Sequence, residues 1–119
     1  MAKHNALGKK GEEIALDFLS KKGYDILEKN YRYQKHEVDI IARKKDILVV
    51  VEVKTRSTTE FGNPQDFVKP KQIQSLVTAV NYYIEDHGLD VEVRFDIIAI
   101  IENKSGTSIE HLEDAFYHF

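Results

Sequence analysis

The chain has 119 residues, which is enough for one domain with a real hydrophobic core and too few for two. Cysteine is absent, so disulfide bonds, thiolate zinc sites and cysteine nucleophiles are all excluded. The longest apolar runs, Ile47–Val51 and Ile97–Ile101, are far shorter than the roughly 20 residues of a membrane helix. The N-terminus lacks the apolar core of a secretory signal. These features predict a single cytoplasmic domain, residues 1–119, with no membrane partner.

The distribution of charge says more than its total. The formal net charge of −3 does not favour a nucleic-acid partner. However, residues 1–79 hold 15 Lys/Arg and 11 Asp/Glu, whereas residues 80–119 hold 2 and 9. The first two thirds of the chain are therefore mildly basic, and the acidic excess lies in the last third. An ordinary solvated surface explains this asymmetry equally well.

Hydrophobic periodicity predicts seven elements in the order α-β-β-β-α-β-β. Helices are predicted over residues 6–22 and 70–88, because Gly23 and Gly88 are good stop signals and Pro70 suits a first helical turn. Strands are predicted over residues 24–33, 38–43, 47–55, 92–102 and 108–112. This order predicts an α/β fold in which a mixed β-sheet is flanked by helices.

Two charged residues follow directly on the most apolar strand. Ile47–Val51 is apolar on both faces, as expected of a central strand, yet Glu52 and Lys54 come next. Because side chains alternate along a strand, Glu52 and Lys54 share one face. A buried charge is costly unless it is paired or coordinates a metal. The end of this strand is therefore a candidate site.

The preceding strand brings further acids to the same place. With a two-residue turn at 45–46, the hairpin register sets Asp39 opposite Glu52 and Glu37 opposite Lys54. The second pair is attractive, but two like charges directly opposite each other destabilise a sheet. A cation between Asp39 and Glu52 removes that conflict.

The first helix supplies a third carboxylate. At roughly 100° per residue, Glu12 falls inside the apolar arc of this helix. Three converging carboxylates make an oxygen-rich site suited to Mg²⁺ or Mn²⁺ rather than zinc. Without metal, such crowded acids are expected to hold raised pKa values. The alternative is structural: Glu52 pairs with Lys54, Asp39 pairs with a basic neighbour, and Glu12 lies at the helix edge.

A series of short motifs runs through the chain from about Gly8 to Phe116. They are Gly11–Glu13, Glu37–Arg43, Val51–Arg56, Phe61–Gly62, Lys71–Gln72 and Arg94–Asp96. Their order and spacing resemble those of the YraN-like family, a group of small bacterial proteins in the PD-(D/E)xK superfamily. The active-site layout of that family is similar to that of archaeal Holliday-junction resolvases. Val38 stands where the name of the superfamily has proline.

The resemblance implies a restriction-endonuclease-like fold and a role for each matching residue. Asp39 and Glu52 match the metal-binding acids of the superfamily, with the backbone carbonyl of Val53 as a further ligand. Lys54 matches its catalytic lysine, and Glu12 matches the helix glutamate of resolvase-like members. The implied cofactor is Mg²⁺ or Mn²⁺.

The predicted function is metal-dependent hydrolysis of phosphodiester bonds in DNA, with branched or flapped DNA as candidate substrates. Lys54 would orient the attacking water or offset charge on the phosphate, and Glu37 would steady Lys54. Gln72 lies on the apolar side of the second helix and so can reach the site. Arg56 and Lys71 flank a loop and are candidate phosphate contacts. Because junction resolvases cut two strands as dimers, a homodimer is expected by analogy.

Two other classes of function stay open at this point. One is a nucleic-acid-binding module that keeps the site without turnover. The other is a protein-interaction domain whose acids are structural and whose C-terminal aromatics dock a partner. Metal binding separates the interaction domain from the other two classes, and cleavage separates the nuclease from the binding module. Arg94 and Asp96 are interpreted as a structural ion pair.

Overall fold

The described part of the chain forms seven elements in the predicted order α-β-β-β-α-β-β. The structure is a computed structural model that describes residues 6–58 and 68–115, so Phe61–Gly62 and the C-terminal aromatics lie outside it. The helices are α1, Ala6–Lys21, and α2, Pro70–His87. The strands are β1, Asp25–Tyr33; β2, His36–Lys44; β3, Ile47–Arg56; β4, Glu92–Asn103; and β5, Gly106–Leu112.

The five strands form one mixed sheet in the order β1-β2-β3-β4-β5. Neighbouring strands are antiparallel except β3 and β4, which run parallel over ten residue pairs. Parallel neighbours need a long crossover connection, and α2 lies in the segment that joins them. The α/β fold with a mixed sheet flanked by helices is therefore confirmed.

The central strand β3 is apolar on both faces because each face of the sheet carries a helix. Val49 and Val51 join a core that includes Ala15 and Leu19 of α1, on what we call the α1 face. Leu48 and Val50 join a second core on the opposite, α2 face, together with Leu76, Ala79, Val80 and Tyr83 of α2. Burial of these side chains is the main force that holds both helices on the sheet. Within the described ranges, neither helix is long and apolar enough to cross a membrane.

The helix ends follow the sequence signals. Pro70 occupies the first turn of α2, where its missing N–H costs nothing. Gly88 ends the helix with a φ of 60°, a left-handed conformation that glycine adopts without strain. The turn between β2 and β3 has two residues, as predicted, and Lys45 there has a φ of 57°.

Asp96 in β4 is completely buried, and every partner it needs is present. Arg94 donates two hydrogen bonds of 2.9 Å to its carboxylate, and the Asp114 N–H donates a third of 3.0 Å. His111 Nε2 donates a fourth of 2.7 Å, since Lys22 donates to His111 Nδ1 and leaves the proton on Nε2. Burial alone would raise the pKa of Asp96, but these hydrogen bonds outweigh burial and lower it. The predicted ion pair is confirmed as part of a satisfied network.

Candidate functional site

The β2–β3 hairpin has the predicted register, and its ladder stops just before the acids. Five residue pairs form, and the last of them is Ile40–Val51. At the next position Asp39 Oδ2 accepts a 2.8 Å hydrogen bond from the Val53 N–H. The Asp39 carboxylate thus takes the place of a backbone acceptor. The prediction that Asp39 forms a direct cross-strand pair with Glu52 is corrected to this side-chain contact.

A local irregularity in β1 and β2 makes this contact possible. Val38 packs into the core on the α2 face, whereas Ile40 packs on the α1 face. Two residues that are two apart in a regular strand share a face, so the alternation is broken at Asp39. In β1, Asn30 lies between Lys29 and Tyr31, which pair with Ile40 and Val38, and it has a φ of 54°. The break turns the Asp39 carboxylate toward the open end of the ladder.

Glu52 lies on the α2 face and is only 7% exposed. Its Oε2 atom accepts a hydrogen bond from Gln72 Nε2 and lies 3.8 Å from Lys54 Nζ. Its Oε1 atom is buried and has no hydrogen-bond partner within the described part of the chain. A buried carboxylate oxygen without a donor carries its full desolvation cost. A cation is the kind of partner that would remove this cost.

The electrostatics of the two acids reflect their crowding. Burial raises the pKa of Glu52 to about 8, and the neighbouring Asp39 charge adds to this effect more than Lys54 offsets it. Burial also raises the pKa of Asp39 to about 6, although the hydrogen bond from Val53 opposes the shift. The charge of Glu12 raises both pKa values. The pKa values of Asp39 and Glu52 are thus raised as predicted, with burial as a larger cause than the crowding of the acids.

Glu12 reaches the acids from the other side of the sheet. It lies on α1, which covers the α1 face, whereas Glu52 follows the α2 face. Its charge raises the pKa values of both Asp39 and Glu52, so Glu12 acts electrostatically on the acids at the end of the hairpin. The preceding Gly11 is buried, and a Cβ atom there would overlap Thr55 Oγ1 in β3. This close approach holds the helix, and with it Glu12, against the sheet.

We expect Gly11→Ala to lower the free energy of unfolding by about 2 kcal/mol, because the added methyl group forces α1 away from Thr55. This cost exceeds the roughly 1 kcal/mol that alanine gains over glycine in a helix. Thr55→Ala removes Oγ1 and leaves only a Cβ at 3.0 Å, so the double variant should recover most of the loss. Denaturant titration of both single variants and the double variant measures the coupling. Additive effects would contradict the packing argument.

Glu37 has a different partner from the one predicted. It lies 3.7 Å from Arg32 of β1, whereas Lys54 forms its ion pair with Glu52. Because the ladder ends before Asp39, Glu37 and Lys54 are not brought opposite each other. Glu37 still acts on the site, since its charge raises the pKa of both Asp39 and Glu52.

The other predicted residues lie around this centre at different depths. Gln72 reaches Glu52 from the first turn of α2, as its place on the apolar side of the helix predicts. Arg56 is partly buried, and its Nη1 donates a 2.8 Å hydrogen bond to the Thr55 carbonyl. Lys71 is exposed beside Gln72.

The sequence analysis missed Ser75. Its Oγ lies 2.6 Å from Nδ1 of His36 at the start of β2. Ser75 follows Gln72 by three residues, so both side chains leave the same face of α2. This Gln-x-x-Ser spacing was the signal available in the sequence. One helix turn thus contacts the start of β2 and the end of β3 at the edge of the site.

The donors suit a hard divalent cation. Asp39 and Glu52 supply carboxylate oxygens, and the Val53 backbone lies beside them. Within residues 6–58 and 68–115, no group of three or more His, Cys, Asp and Glu side chains forms a ready metal cluster. Mg²⁺ usually binds through one or two carboxylates and keeps several waters, so two acids are sufficient for it. The unpartnered Oε1 of Glu52 fits the same group.

Comparison with known proteins gives one consistent result. The sequence pattern of the uncharacterised protein family UPF0102 matches residues 11–100. The chain is 71% identical to a UPF0102 protein of Christiangramia forsetii and 61% identical to one of Flavobacterium psychrophilum, over the full length of each. It is 45% identical to a UPF0102 protein of Phocaeicola vulgatus, over 98% of this chain and 97% of the relative. Since both the family pattern and full-length relatives match, the chain belongs to the uncharacterised family UPF0102, as its YraN-like motifs predict.

Proposed function

We propose that this protein is a nuclease of the PD-(D/E)xK type that hydrolyses phosphodiester bonds in DNA with Mg²⁺ or Mn²⁺. The observation that carries the proposal is the buried Oε1 of Glu52, which has no hydrogen-bond partner among residues 6–58 and 68–115. Lys54 contacts the same carboxylate, and the adjacent Val53 N–H binds Asp39. A buried carboxyl group that lacks such a partner, and whose charged form is disfavoured by burial, is costly to keep at this place. The arrangement makes sense if a cation is the missing partner.

The residues that would hold the ion are Asp39, Glu52 and the backbone carbonyl of Val53, with Glu12 completing the set. When bound, a divalent cation would polarise a phosphate oxygen and lower the pKa of a water molecule. The Val53 N–H fixes the orientation of the Asp39 carboxylate through its 2.8 Å hydrogen bond. Gln72 fixes Glu52 in the same way by bonding Oε2, which leaves Oε1 for the ion.

Lys54 supplies the positive charge of the proposed reaction. Its side chain is 18% exposed, so the ammonium group lies at the boundary between the buried acids and solvent. From there it can contact a phosphate that approaches the acids and stabilise the negative charge that grows during hydrolysis. The 3.8 Å contact with Glu52 Oε2 keeps the ammonium group near the reacting centre.

DNA as the substrate is supported by the charge distribution and by the resemblance to resolvases. Arg56 lies at the end of β3, four residues after Glu52, and the exposed Lys71 is adjacent to Gln72; both carry charges suited to phosphate oxygens. The net charge of −3 predicts that binding is weak and strongly salt-dependent. Branched and flapped molecules are proposed first, because resolvases with a similar site layout act on junctions.

The test gives purified protein Mg²⁺ or Mn²⁺ with junction, flapped, duplex and single-stranded DNA and with RNA. We expect cleavage of at least one DNA substrate, and Asp39→Asn, Glu52→Gln and Lys54→Met should each lower it by about 100-fold or more. Glu13→Gln is the matched control, since Glu13 is an exposed acid adjacent to Glu12. Cleavage that survives the three substitutions would indicate a contaminating nuclease. Metal-dependent DNA binding without cleavage would replace the proposal with the non-catalytic module.

A further inference from the structure

The two edges of the sheet differ in how well they are protected. Edge strands present unpaired backbone groups, and proteins usually blunt them with bulges, charges or irregular backbone. The outer strand β1 has such features: a register shift between Ile26 and Glu28, the left-handed Asn30, and the basic residues Lys29 and Arg32. The outer strand β5 pairs with β4 in seven consecutive positions and contains no lysine, arginine or proline. Within residues 6–58 and 68–115, no strand pairs with the outer side of β5, so this edge is open to another strand.

An apolar side chain lies at the middle of this open edge. Ile109 is 37% exposed, although it is a large hydrophobic residue. With Ile14 and Phe18 of α1 it lines an open groove of about 590 Å³ between α1 and β5. Unpaired backbone and an exposed apolar side chain in one strand are the two features that strand addition uses.

We propose that β5 is a dimerisation strand that pairs antiparallel with the β5 of a second copy of this chain. The two-fold axis would pass beside Ile109, so that the two five-stranded sheets form one continuous sheet. A two-fold interface must be self-complementary, because the same patch serves both subunits. The sequence of β5 and its flanking turns meets this requirement.

The register follows from the charges. When Ile109 faces its own copy, Ser108 faces Glu110, and no like charges are opposed within the strand. At each strand end, the β4–β5 turn that contains Lys104 then lies next to the turn of the second copy that contains Asp114, so opposite charges come near each other. A shift of the axis by one residue toward the C-terminus would set Glu110 opposite Glu110, which is repulsive, and a shift toward the N-terminus would separate the two Ile109 side chains. The centred register also brings the two exposed Ile109 side chains together, away from water.

The self-complementary pattern is what favours a second copy over an unrelated protein. The basic residue lies before β5 and the acids, Glu113 and Asp114, lie after it. Antiparallel pairing with an identical strand therefore joins opposite charges at both ends at once. An unrelated extended segment would have to carry the same reversed pattern.

Cysteine cross-linking tests this register directly, because the natural chain contains no cysteine. At the axis, the Cα atoms of two Ile109→Cys copies would be about 4.5–5.5 Å apart, within the range of a disulfide bond. Two Thr107→Cys copies would be separated by four residues along the strand, about 14 Å, and cannot be bridged. Mild oxidation should therefore give a covalent dimer of Ile109→Cys and not of Thr107→Cys. Cross-linking of both variants at equal rates would overturn the proposal.

Sedimentation equilibrium of the unmodified chain gives the second measurement. We expect a monomer–dimer equilibrium that Ile109→Lys weakens by at least about tenfold, because two ammonium groups would meet at the axis. Leu27→Lys is the matched control, since Leu27 is also 37% exposed and lies on the opposite edge strand. A chain that stays monomeric, or a dimer that only Leu27→Lys disrupts, would reject β5 as the interface. Neither measurement depends on nuclease activity, so this inference and the proposed function can fail separately.

Discussion

In the metal-free protein at about pH 9, Glu52→Gln is expected to raise the free energy of unfolding by a few kcal/mol. The pKa of Glu52 is raised from 4.5 to about 8, chiefly by burial and then by the charge of Asp39. Each unit of such a shift corresponds to about 1.4 kcal/mol. Glutamine keeps the shape of the side chain, and its amide oxygen can still accept the hydrogen bond from Gln72. The substitution therefore removes the cost of ionisation and little else.

The direction of the pH dependence follows from the sign of the shift. A carboxyl group whose pKa is raised by folding binds more protons in the folded state between the two pKa values. The contribution of Glu52 to the free energy of unfolding is fully present below about pH 4.5 and is lost as the pH rises toward 8. The pKa of Asp39 rises from 3.8 to about 6 on folding, so its contribution to the free energy of unfolding also falls as the pH rises. The wild-type protein should thus lose stability between about pH 5 and 9, and Glu52→Gln should remove most of this loss.

Addition of Mg²⁺ or Mn²⁺ separates a functional acid from a structural one. A ligand that binds only the folded state stabilises it, so the wild-type protein should recover stability at about pH 9. Glu52→Gln should show little recovery, whereas Glu13→Gln should behave as wild type, since Glu13 is exposed. If Glu52→Gln is less stable than wild type without metal, the carboxylate has a structural role and the metal site is rejected.

The sequence was sufficient for the fold because each element carries its own signal. The five apolar residues of β3 indicate a central strand with both faces covered, and α1 and α2 do cover them. Gly88 marks the end of α2 because its left-handed backbone is easy only for glycine. Because the turn has an even number of residues, two, it fixes which residues of β2 and β3 face each other as far as Ile40–Val51. These rules depend only on neighbouring residues, and the hairpin follows them from the turn to the Ile40–Val51 pair.

The site itself depends on contacts that these local rules do not contain. The position of the Asp39 carboxylate requires the alternation of β2 to break near Asn30, and a regular-strand argument assumes that it does not. Glu37 turns to Arg32 because the neighbour on its other side, β1, offers a competing charge. Asn30 is a residue type enriched in left-handed backbone, which was the only advance indication of the break. The sequence therefore predicts which residues lie near the end of the hairpin but not the arrangement of their side chains.

Two buried acids with opposite surroundings show why Glu52 and not Asp96 is assigned to function. Asp96 accepts hydrogen bonds from Arg94, His111 and the backbone of Asp114, and its pKa is lowered. Glu52 has an oxygen without a hydrogen-bond partner in the described part of the chain, and its pKa is raised. The first acid stabilises the fold in its charged form, whereas the second destabilises it. Both lie beside apolar stretches in the sequence, so only their partners distinguish them.

Asp96→Asn is accordingly expected to have the opposite effect, a loss of about 3–4 kcal/mol in the free energy of unfolding near neutral pH. It removes the buried carboxylate that Arg94 and His111 bind and leaves Arg94 with the more exposed Glu113, at 3.6 Å, as its counter-charge. Since folding lowers the pKa of Asp96, its contribution is present above about pH 3.8 and is lost as the pH falls through the folded value. The difference between wild type and variant in denaturant unfolding should therefore shrink in acid. Asp17→Asn breaks only the exposed Lys21 pair, and a loss below about 0.5 kcal/mol is expected there. Equal losses in the two variants would mean that the Asp96 network adds no more to stability than an ordinary surface ion pair.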